Sequence, residues 1–332
     1  MKEKVYIILL NYKGWKDSIE CLESVLKLNY YNFQIIVVDN SPTLESVSSI
    51  KSWATDPDFR EIPTAFPKIV DPLYPKPLDY IIISESESKN KFYEETLLII
   101  KADKNLGFSA GNNIAMNYAM RREDYGYCWI LNNDTVVDKN ALQYQIDYMR
   151  KNTFSKIGIL GSKLIYYFEA NKIQAIGGAF NPFSYTTKHL GEGMSVNTGK
   201  QKFRNIDYVI GASMLVSNDF LKDVGVLSED YFLYYEEIDW KFRAAKKGWS
   251  IDWCEKSLVF HKEGSSIGSS SCFQKRSSFS ELNVFKSRKI FFQKFSKNKI
   301  FFWLTSLLII FNRFRRFQLR LGFSFLKILI TK

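Results

Sequence analysis

Four unbroken apolar runs fall in the first 134 residues: VYIILL at 5–10, FQIIVVD at 33–39, LLIIKAD at 97–103 and YCWILNND at 127–134. None alternates apolar with polar residues. A strand that buries both faces reads this way, whereas a strand with one wet face alternates. Between the first two runs, DSIECLESVLKL sets Ile19, Leu22, Val25, Leu26 and Leu28 at helical spacing. Between the last two, SAGNNIAMNYAMRR does the same with Ile114, Ala115, Tyr118 and Ala119. Strands alternating with helices predict right-handed βαβ units, and so an α/β chain with a mostly parallel central sheet.

The rhythm breaks between residues 53 and 91. Six of the eight prolines lie there (Pro57, Pro63, Pro67, Pro72, Pro75 and Pro77), which marks an insertion with one short strand expected at DYIII. Further apolar runs follow at IGILGSKLIYY and YVIGASMLVS, then an amphipathic helix from about Glu237 to near Gly248, then WSIDWCEKSLVFH. GSSIGSSS is the candidate linker. The expected organisation is an α/β domain over residues 1–265 and a basic, aromatic tail over 266–332. The apolar run after MKEK has six residues, too few for a signal-peptide core. Cys21, Cys128, Cys254 and Cys272 lie far apart with no paired spacing. That excludes a zinc ribbon and predicts reduced, mostly buried thiols in the cytoplasm.

In a doubly wound sheet the ligand site lies beyond the carboxyl ends of the strands. Here those ends carry Asn11, then Asp39 and Asn40, then Asn105 and Gly107, then Asn132 and Asp134. One polar strand end is ordinary turn chemistry. Four on one rim predict a shared polar site. KNLGFSAGNN is neither GxGxxG nor a Walker loop, so a phosphate held here needs a metal ion. Further on, Glu236, Glu237 and Asp239 put three acids into four residues at a helix start, where the helix dipole favours them. Asp239 also stands four residues from Arg243, the spacing of a helical ion pair. Of the two histidines, His261 follows an apolar strand and His189 reads as a loop residue.

Taken in order, IIVVDNS, KNLGFSAGNN, WILNNDT, GASMLVS and FLYYEEIDW with the later His261 resemble family 2 glycosyltransferases of the GT-A fold. The likeness is strongest to bacterial rhamnosyl- and galactofuranosyltransferases of surface polysaccharide synthesis, and it covers about residues 5–261. It implies a nucleotide-sugar-binding domain that moves a sugar, with inversion, from a UDP- or dTDP-sugar to a glycan or lipid-linked acceptor. Mn²⁺ or Mg²⁺, hard ions that prefer oxygen ligands, would stabilise the leaving diphosphate. The family's short acidic metal motif falls on Asn132-Asn133-Asp134, with an amide in place of the first acid. Metal ligation is therefore expected at Asp134, completed by His261. The family's acidic pair falls on Glu236-Glu237, which makes Glu237 the expected base and Asp239 the second candidate. Asn11 and Asp39 would frame the nucleoside, while Asn105, Gly107 and Asn112 would lie near ribose and diphosphate. Asn40 and Asn132 complete the expected substrate-binding set.

The formal net charge is +11, and from Leu282 onward there are twelve Lys and Arg and no acid. The first 281 residues therefore carry −1. Phe, Leu, Ile and Trp interleave with the cations, which predicts basic amphipathic helices lying on an anionic membrane surface. The longest uncharged run, IFFWLTSLLIIFN at 300–312, is shorter than the roughly 20 residues a span needs. Nucleic acid is not an expected partner, because no recognition motif accompanies the charge. The expected location is cytoplasmic, peripheral on the inner face of the cell membrane. Two alternatives use the same residues. One is a catalytically inactive membrane-bound scaffold of this fold. The other is a sugar nucleotidyltransferase, which would need a glycine-rich phosphate loop that NYKGWKDS does not supply.

Overall fold

A computed structural model of the chain describes residues 3–59, 62–203, 205–262, 276–296 and 299–331. The candidate linker GSSIGSSS, Cys272 and the expected boundary at 265/266 lie outside them. Strands β1 (Lys4–Asn11), β2 (Phe33–Asp39), β3 (Tyr80–Ser84), β4 (Leu97–Lys101) and β5 (Tyr125–Asn132) form a parallel half in the order β3-β4-β2-β1-β5. The other half is mixed and contains β6 (Thr135–Val137), β7 (Ile157–Tyr166) and β8 (Ile173–Ala175). A separate antiparallel hairpin pairs β9 (Gly177–Phe180) with β10 (Thr187–Leu190). Then β11 (Ser213–Ser217) runs antiparallel between β5 and β7, and β12 (Ser250–His261) runs parallel to β7. At the far edge β6 pairs antiparallel with β12.

The unbroken apolar runs have a direct cause. Val5, Ile7 and Leu9 of β1 pack with Ile19 and Leu22 of the helix Trp15–Val25 and with Ile50 of Glu45–Thr55. Tyr6 and Ile8 point the other way, into a second core with Ala115 and Met116 of the helix Gly107–Arg122. Helices on both faces thus leave no residue of these strands for water. The third and fourth runs end as strands at Lys101 and Asn132, two residues sooner than the apolar pattern suggests. At the second of these ends, Thr135 Oγ1 donates to Asn132 O at 2.7 Å and turns the chain at once into β6.

The proline-rich segment is built into this scaffold. The strand expected at DYIII is β3, parallel to β4 at the sheet edge. Glu23, fully buried on the helix Trp15–Val25, accepts from Trp53 Nε1 at 2.8 Å, Tyr74 N at 2.6 Å and Lys76 Nζ at 2.8 Å. Cys21, Cys128 and Cys254 are buried free thiols, as expected.

The C-terminal region forms three helices, Ser278–Phe295, Lys299–Arg315 and Leu319–Ile330. The first of them packs against the α/β unit. Phe291 stacks edge-on with Phe180 and Phe242, at 5.2 and 5.0 Å between centroids, and packs on Tyr235. Arg288 is buried and donates to Ser184 O, Ser306 Oγ and Thr305 Oγ1 at 2.6–2.9 Å. The first of the three helices therefore shares a core with the α/β unit. On the other two, Leu304, Leu307, Leu308, Phe311 and Phe323 are each at least half exposed. Among the described residues, no helix is long and apolar enough to cross a membrane.

Candidate active site

The parallel strand ends converge on one rim. Asn11 and Asp39 are register partners at the ends of β1 and β2. Asn11 Nδ2 donates to Asp39 Oδ1 at 2.7 Å, and Ser41 Oγ donates to the same oxygen at 2.6 Å. Asp39 Oδ2 is buried and, among the described residues, accepts no hydrogen bond; it faces Lys101 Nζ at 3.5 Å. One carboxylate oxygen is thus spent on the scaffold and the other is held in reserve. On its other side, Asn11 Oδ1 accepts from Ser18 Oγ at 3.0 Å and Asn133 Nδ2 at 3.2 Å, which couples the end of β1 to the motif after β5.

The turn before the helix Gly107–Arg122 forms the next part. Asn40 Nδ2 donates to Asn105 Oδ1 and to Gly107 O, both at 3.3 Å, and Gly107 N donates to Asn105 Oδ1 at 3.0 Å. Gly107 has φ +95°, and a Cβ there would stand 2.1 Å from Phe232 O. Only glycine allows this turn to press against the backbone at Phe232. Asn112 lies in the second turn of the helix, where Nδ2 donates to Phe108 O at 2.9 Å. Asn40 Oδ1 and Asn112 Oδ1 are buried acceptors without a partner among the described residues. Such atoms carry a desolvation cost and stand ready for a ligand's hydroxyl or amide.

Asp134 and His261, 127 residues apart in sequence, are brought together by the pairing of β12 with β6, in which His261 stands opposite Thr135. His261 Nε2 lies 3.1 Å from Asp134 Oδ1 and 3.4 Å from Asn132 Nδ2. Gln174 Oε1 lies 2.8 Å from His261 Nδ1 and accepts its hydrogen bond, which leaves Nε2 facing the Asp134 carboxylate: protonated it donates to that carboxylate, and deprotonated it offers a lone pair beside it. Two such electron pairs approach favourably only with a proton or a cation between them. Burial works to raise the Asp134 carboxyl, but His261 and a backbone hydrogen bond outweigh it and hold the group below its usual value. The donor set, one carboxylate and one imidazole, suits Mn²⁺ or Mg²⁺ once a diphosphate adds oxygens. No group of three or more His, Cys, Asp and Glu side chains is gathered for a metal among the described residues.

The acidic helix Glu236–Lys246 starts after two consecutive residues in the left-handed region, Tyr234 at φ +69° and Tyr235 at φ +72°. Non-glycine residues hold this conformation only when their surroundings impose it. Glu237 Oε1 accepts from Gly211 N at 3.2 Å, and a Cβ on residue 211 would stand 2.9 Å from that oxygen. The neighbouring Ala212 O accepts from Asn132 N at 3.0 Å. Glu237 is thus tied through Gly211 and Ala212 to the backbone of Asn132 at the end of β5. Burial pushes its carboxyl up to about 7, while hydrogen bonds from the Glu237 and Gly211 backbone oppose the rise. Glu236 is buried and also raised, by burial first and then by the charge of Glu237. Asp239 is fully buried and fully engaged: Arg243 Nε at 2.7 Å, Tyr231 OH at 3.0 Å and Lys294 Nζ at 2.5 Å. The ion pair expected with Arg243 is present, inside the protein and not on its surface. Three donors thus commit Asp239 to partners within the protein.

The rim thus gathers Asn11, Asp39, Asn40, Asn105, Gly107, Asn132, Asp134 and His261, with Glu237 joined to it through Gly211 and Ala212; Asp239 is turned away into the core. His189 is not in a loop but on β10, half-buried, with its value lowered by burial. Ser41 and Asn133 stand inside motifs quoted from the sequence, so their position alone could have marked them. Lys101 and Gln174 belong to no motif, and only the folded chain brings them to Asp39 and His261.

Residues 5–67 match the family described as Glycosyl transferase family 2. A hexosyltransferase of low-salt glycan biosynthesis from Haloferax volcanii, Agl10, is 22% identical over 182 residues, 54% of this chain and 56% of that protein. The chain therefore spans about half the length of this curated relative. Two solved structures share the fold. The mannosyltransferase PcManGT from Pyrobaculum calidifontis, in complex with GDP-Man and Mn²⁺, superposes with a TM-score of 0.53 at 10% identity, over 91% of this chain and 67% of that one. GalNAc-T7, solved with UDP, GalNAc and Mn²⁺, superposes with a TM-score of 0.55 at 13% identity, over 88% and 48%. The fold is α/β of the GT-A type, as the sequence predicts, and the family match and the hexosyltransferase relative are likenesses in sequence to glycosyltransferases.

Proposed function

We propose that the chain is an inverting, metal-dependent glycosyltransferase that takes a sugar from a UDP- or dTDP-sugar and extends a glycan or lipid-linked acceptor in surface polysaccharide synthesis. The observation that carries this reading is the pairing of His261 Nε2 with Asp134 Oδ1 at 3.1 Å on the strand-end rim, while Glu237, a carboxyl raised to about 7, is tied through Gly211 and Ala212 to the backbone of Asn132. Asp39 Oδ2, which accepts no hydrogen bond among the described residues and pairs with Lys101 at 3.5 Å, suits the N3–H of uracil or thymine, or a ribose hydroxyl. Asp134 and His261 would hold Mn²⁺ or Mg²⁺, which supplies charge neutralisation for the departing nucleoside diphosphate. Glu237 accepts the acceptor hydroxyl proton as that oxygen bonds to the anomeric carbon. The bond from that carbon to the diphosphate oxygen breaks on the opposite face, and its electron pair leaves with the diphosphate. The likeness to rhamnosyl- and galactofuranosyltransferases in the sequence motifs supports a dTDP- or UDP-linked donor.

The test is thermal unfolding with UDP-, dTDP- and GDP-sugars, each with Mn²⁺ and with chelator. A donor at 100 times its dissociation constant should add about 2.7 kcal/mol of stability. Stabilisation by none of them, or by one of them equally in chelator, refutes the reading.

The same reading includes a place on the inner face of the cell membrane. Trp303, Leu304, Leu307, Leu308 and Phe311 form an exposed apolar strip on the helix Lys299–Arg315, next to Arg313, Arg315, Arg316 and Arg320. Vesicle flotation should show binding to anionic vesicles that weakens, but does not vanish, in high salt. The double substitution Leu307→Ser, Leu308→Ser should remove the part that resists salt. Flotation that is equal for parent and variant would count against membrane docking through this strip.

A further inference from the structure

We propose that Lys294, on the C-terminal helix Ser278–Phe295, is a positioning residue for Glu237, so that the catalytic machinery is completed from outside the α/β unit. The proposal rests on the reading of Glu237 as the base. The two left-handed tyrosines place Glu237 at the end of a path that the local backbone does not favour, so something must fix both sides of the turn. Lys294 does so with one ammonium group. Before the turn, its Nζ lies 2.9 Å from Ser228 Oγ and 2.9 Å from Asp230 Oδ2. After the turn, it lies 2.5 Å from Asp239 Oδ2, two residues beyond Glu237. The ring of Tyr231, which donates to that same oxygen, lies 5.1 Å beneath the ammonium. The same helix adds two contacts within the turn: Ser287 Oγ donates to Leu233 O at 2.8 Å, and Ser280 Oγ pairs with Tyr234 OH.

Charge argues the same way. Asp239 is held by one cation from its own helix, Arg243, and one from the C-terminal helix. Without Lys294, a buried carboxylate loses half of its compensation close to two further acids. The segment then relaxes toward solvent and takes Glu237 out of line with Gly211. A displacement on the order of 1 Å at a catalytic group is enough to cost about 10²-fold in rate.

The test compares the full-length parent with Lys294→Met, Lys294→Arg, Ser287→Ala and Glu237→Gln. Two things are measured: hydrogen exchange across residues 228–240, and release of nucleoside diphosphate from UDP-galactose and dTDP-rhamnose with Mn²⁺ and water as the acceptor. Lys294→Met should speed exchange in that segment and lower kcat about 10²-fold, with KM for the donor within about twofold of the parent. Lys294→Arg should restore both. Ser287→Ala, a milder cut that frees Leu233 O within the same turn, should show the same pattern at smaller amplitude, and it carries the test where Lys294→Met unfolds. Parent-like exchange and kcat in Lys294→Met, or in a folded Ser287→Ala when Lys294→Met unfolds, overturns the proposal. If Glu237→Gln keeps full turnover, the base assignment fails and the proposal falls with it. If Glu237→Gln is inactive while Lys294→Met keeps its kcat, the positioning role alone is refuted.

Discussion

Glu237→Gln is expected to lower turnover by about 10²- to 10⁴-fold and to leave donor affinity unchanged, the usual result of losing a general base. The substitution keeps the shape of the side chain and removes only its capacity to take a proton. In the parent, kcat should rise with pH through about 7, since the base works ionised and burial sets its value there. The variant should lack that limb. A second effect has the opposite sign. A carboxyl whose value rises on folding holds its proton more tightly in the native chain than in the unfolded one. Native stability therefore falls as pH climbs from 4.5 through about 7. Glutamine does not ionise, so above pH 7 the variant should melt at a higher temperature, by a stabilisation of about 1 kcal/mol or more. Thermal scans and rate profiles on one preparation check both. Parent-like turnover in the variant would sink the assignment, and the comparison Asp239→Asn separates loss of a base from loss of a structural ion pair.

Asp134→Asn is expected to bring nucleoside diphosphate affinity in Mn²⁺ down to its level in chelator. Asp134 is the carboxylate that faces His261 Nε2, and an amide oxygen is a far weaker partner for a hard cation. The backbone of the turn should survive, because Lys262 N donates to the Asp134 carbonyl at 3.0 Å whatever the side chain. Gln174→Leu should lose about 10- to 100-fold in metal affinity, the usual cost of freeing a ligand histidine from the group that orients it. Titration calorimetry of UDP with and without Mn²⁺ decides both. Metal-dependent affinity equal to the parent's in Asp134→Asn would show that the ion is held elsewhere.

The parallel half of the sheet was legible because burial on both faces leaves a simple trace: Tyr6, Ile8, Val5 and Ile7 must all be apolar when helices cover both sides. The polar rim was legible for the same reason, since strands that end abruptly in Asn11, Asp39 and Asn132 mark where the cover stops. The choice between Glu237 and Asp239 was not. Both stand in the first turn of one helix, and what separates them is the company of Tyr231, Arg243 and Lys294, the last from 55 residues away. The C-terminal region was half legible. Aromatic and basic residues in alternation describe equally a helix that packs through Phe285, Phe291 and Phe292 and one that exposes Leu307 and Phe311. Which side finds a partner depends on surfaces such as Phe180 and Tyr235, whose position in space the local pattern does not encode.

The order of the strands sets the order in which the protein becomes complete on the ribosome. Everything that pairs β3, β4, β2, β1 and β5 has been synthesised by residue 132. Asn11 and Asp39 can therefore meet early, from short-range parallel units that form as the chain emerges. The strand β6 follows only two residues after β5, yet its partner is β12, which ends at residue 261. For more than a hundred residues of elongation β6 waits with no strand to pair with, and Asp134 waits with it. In that interval Asn11 and Asp39 can already be joined while Asp134 still lacks His261. The Asp134–His261 pair belongs to a late long-range closure, the kind of contact that sets the pace of folding.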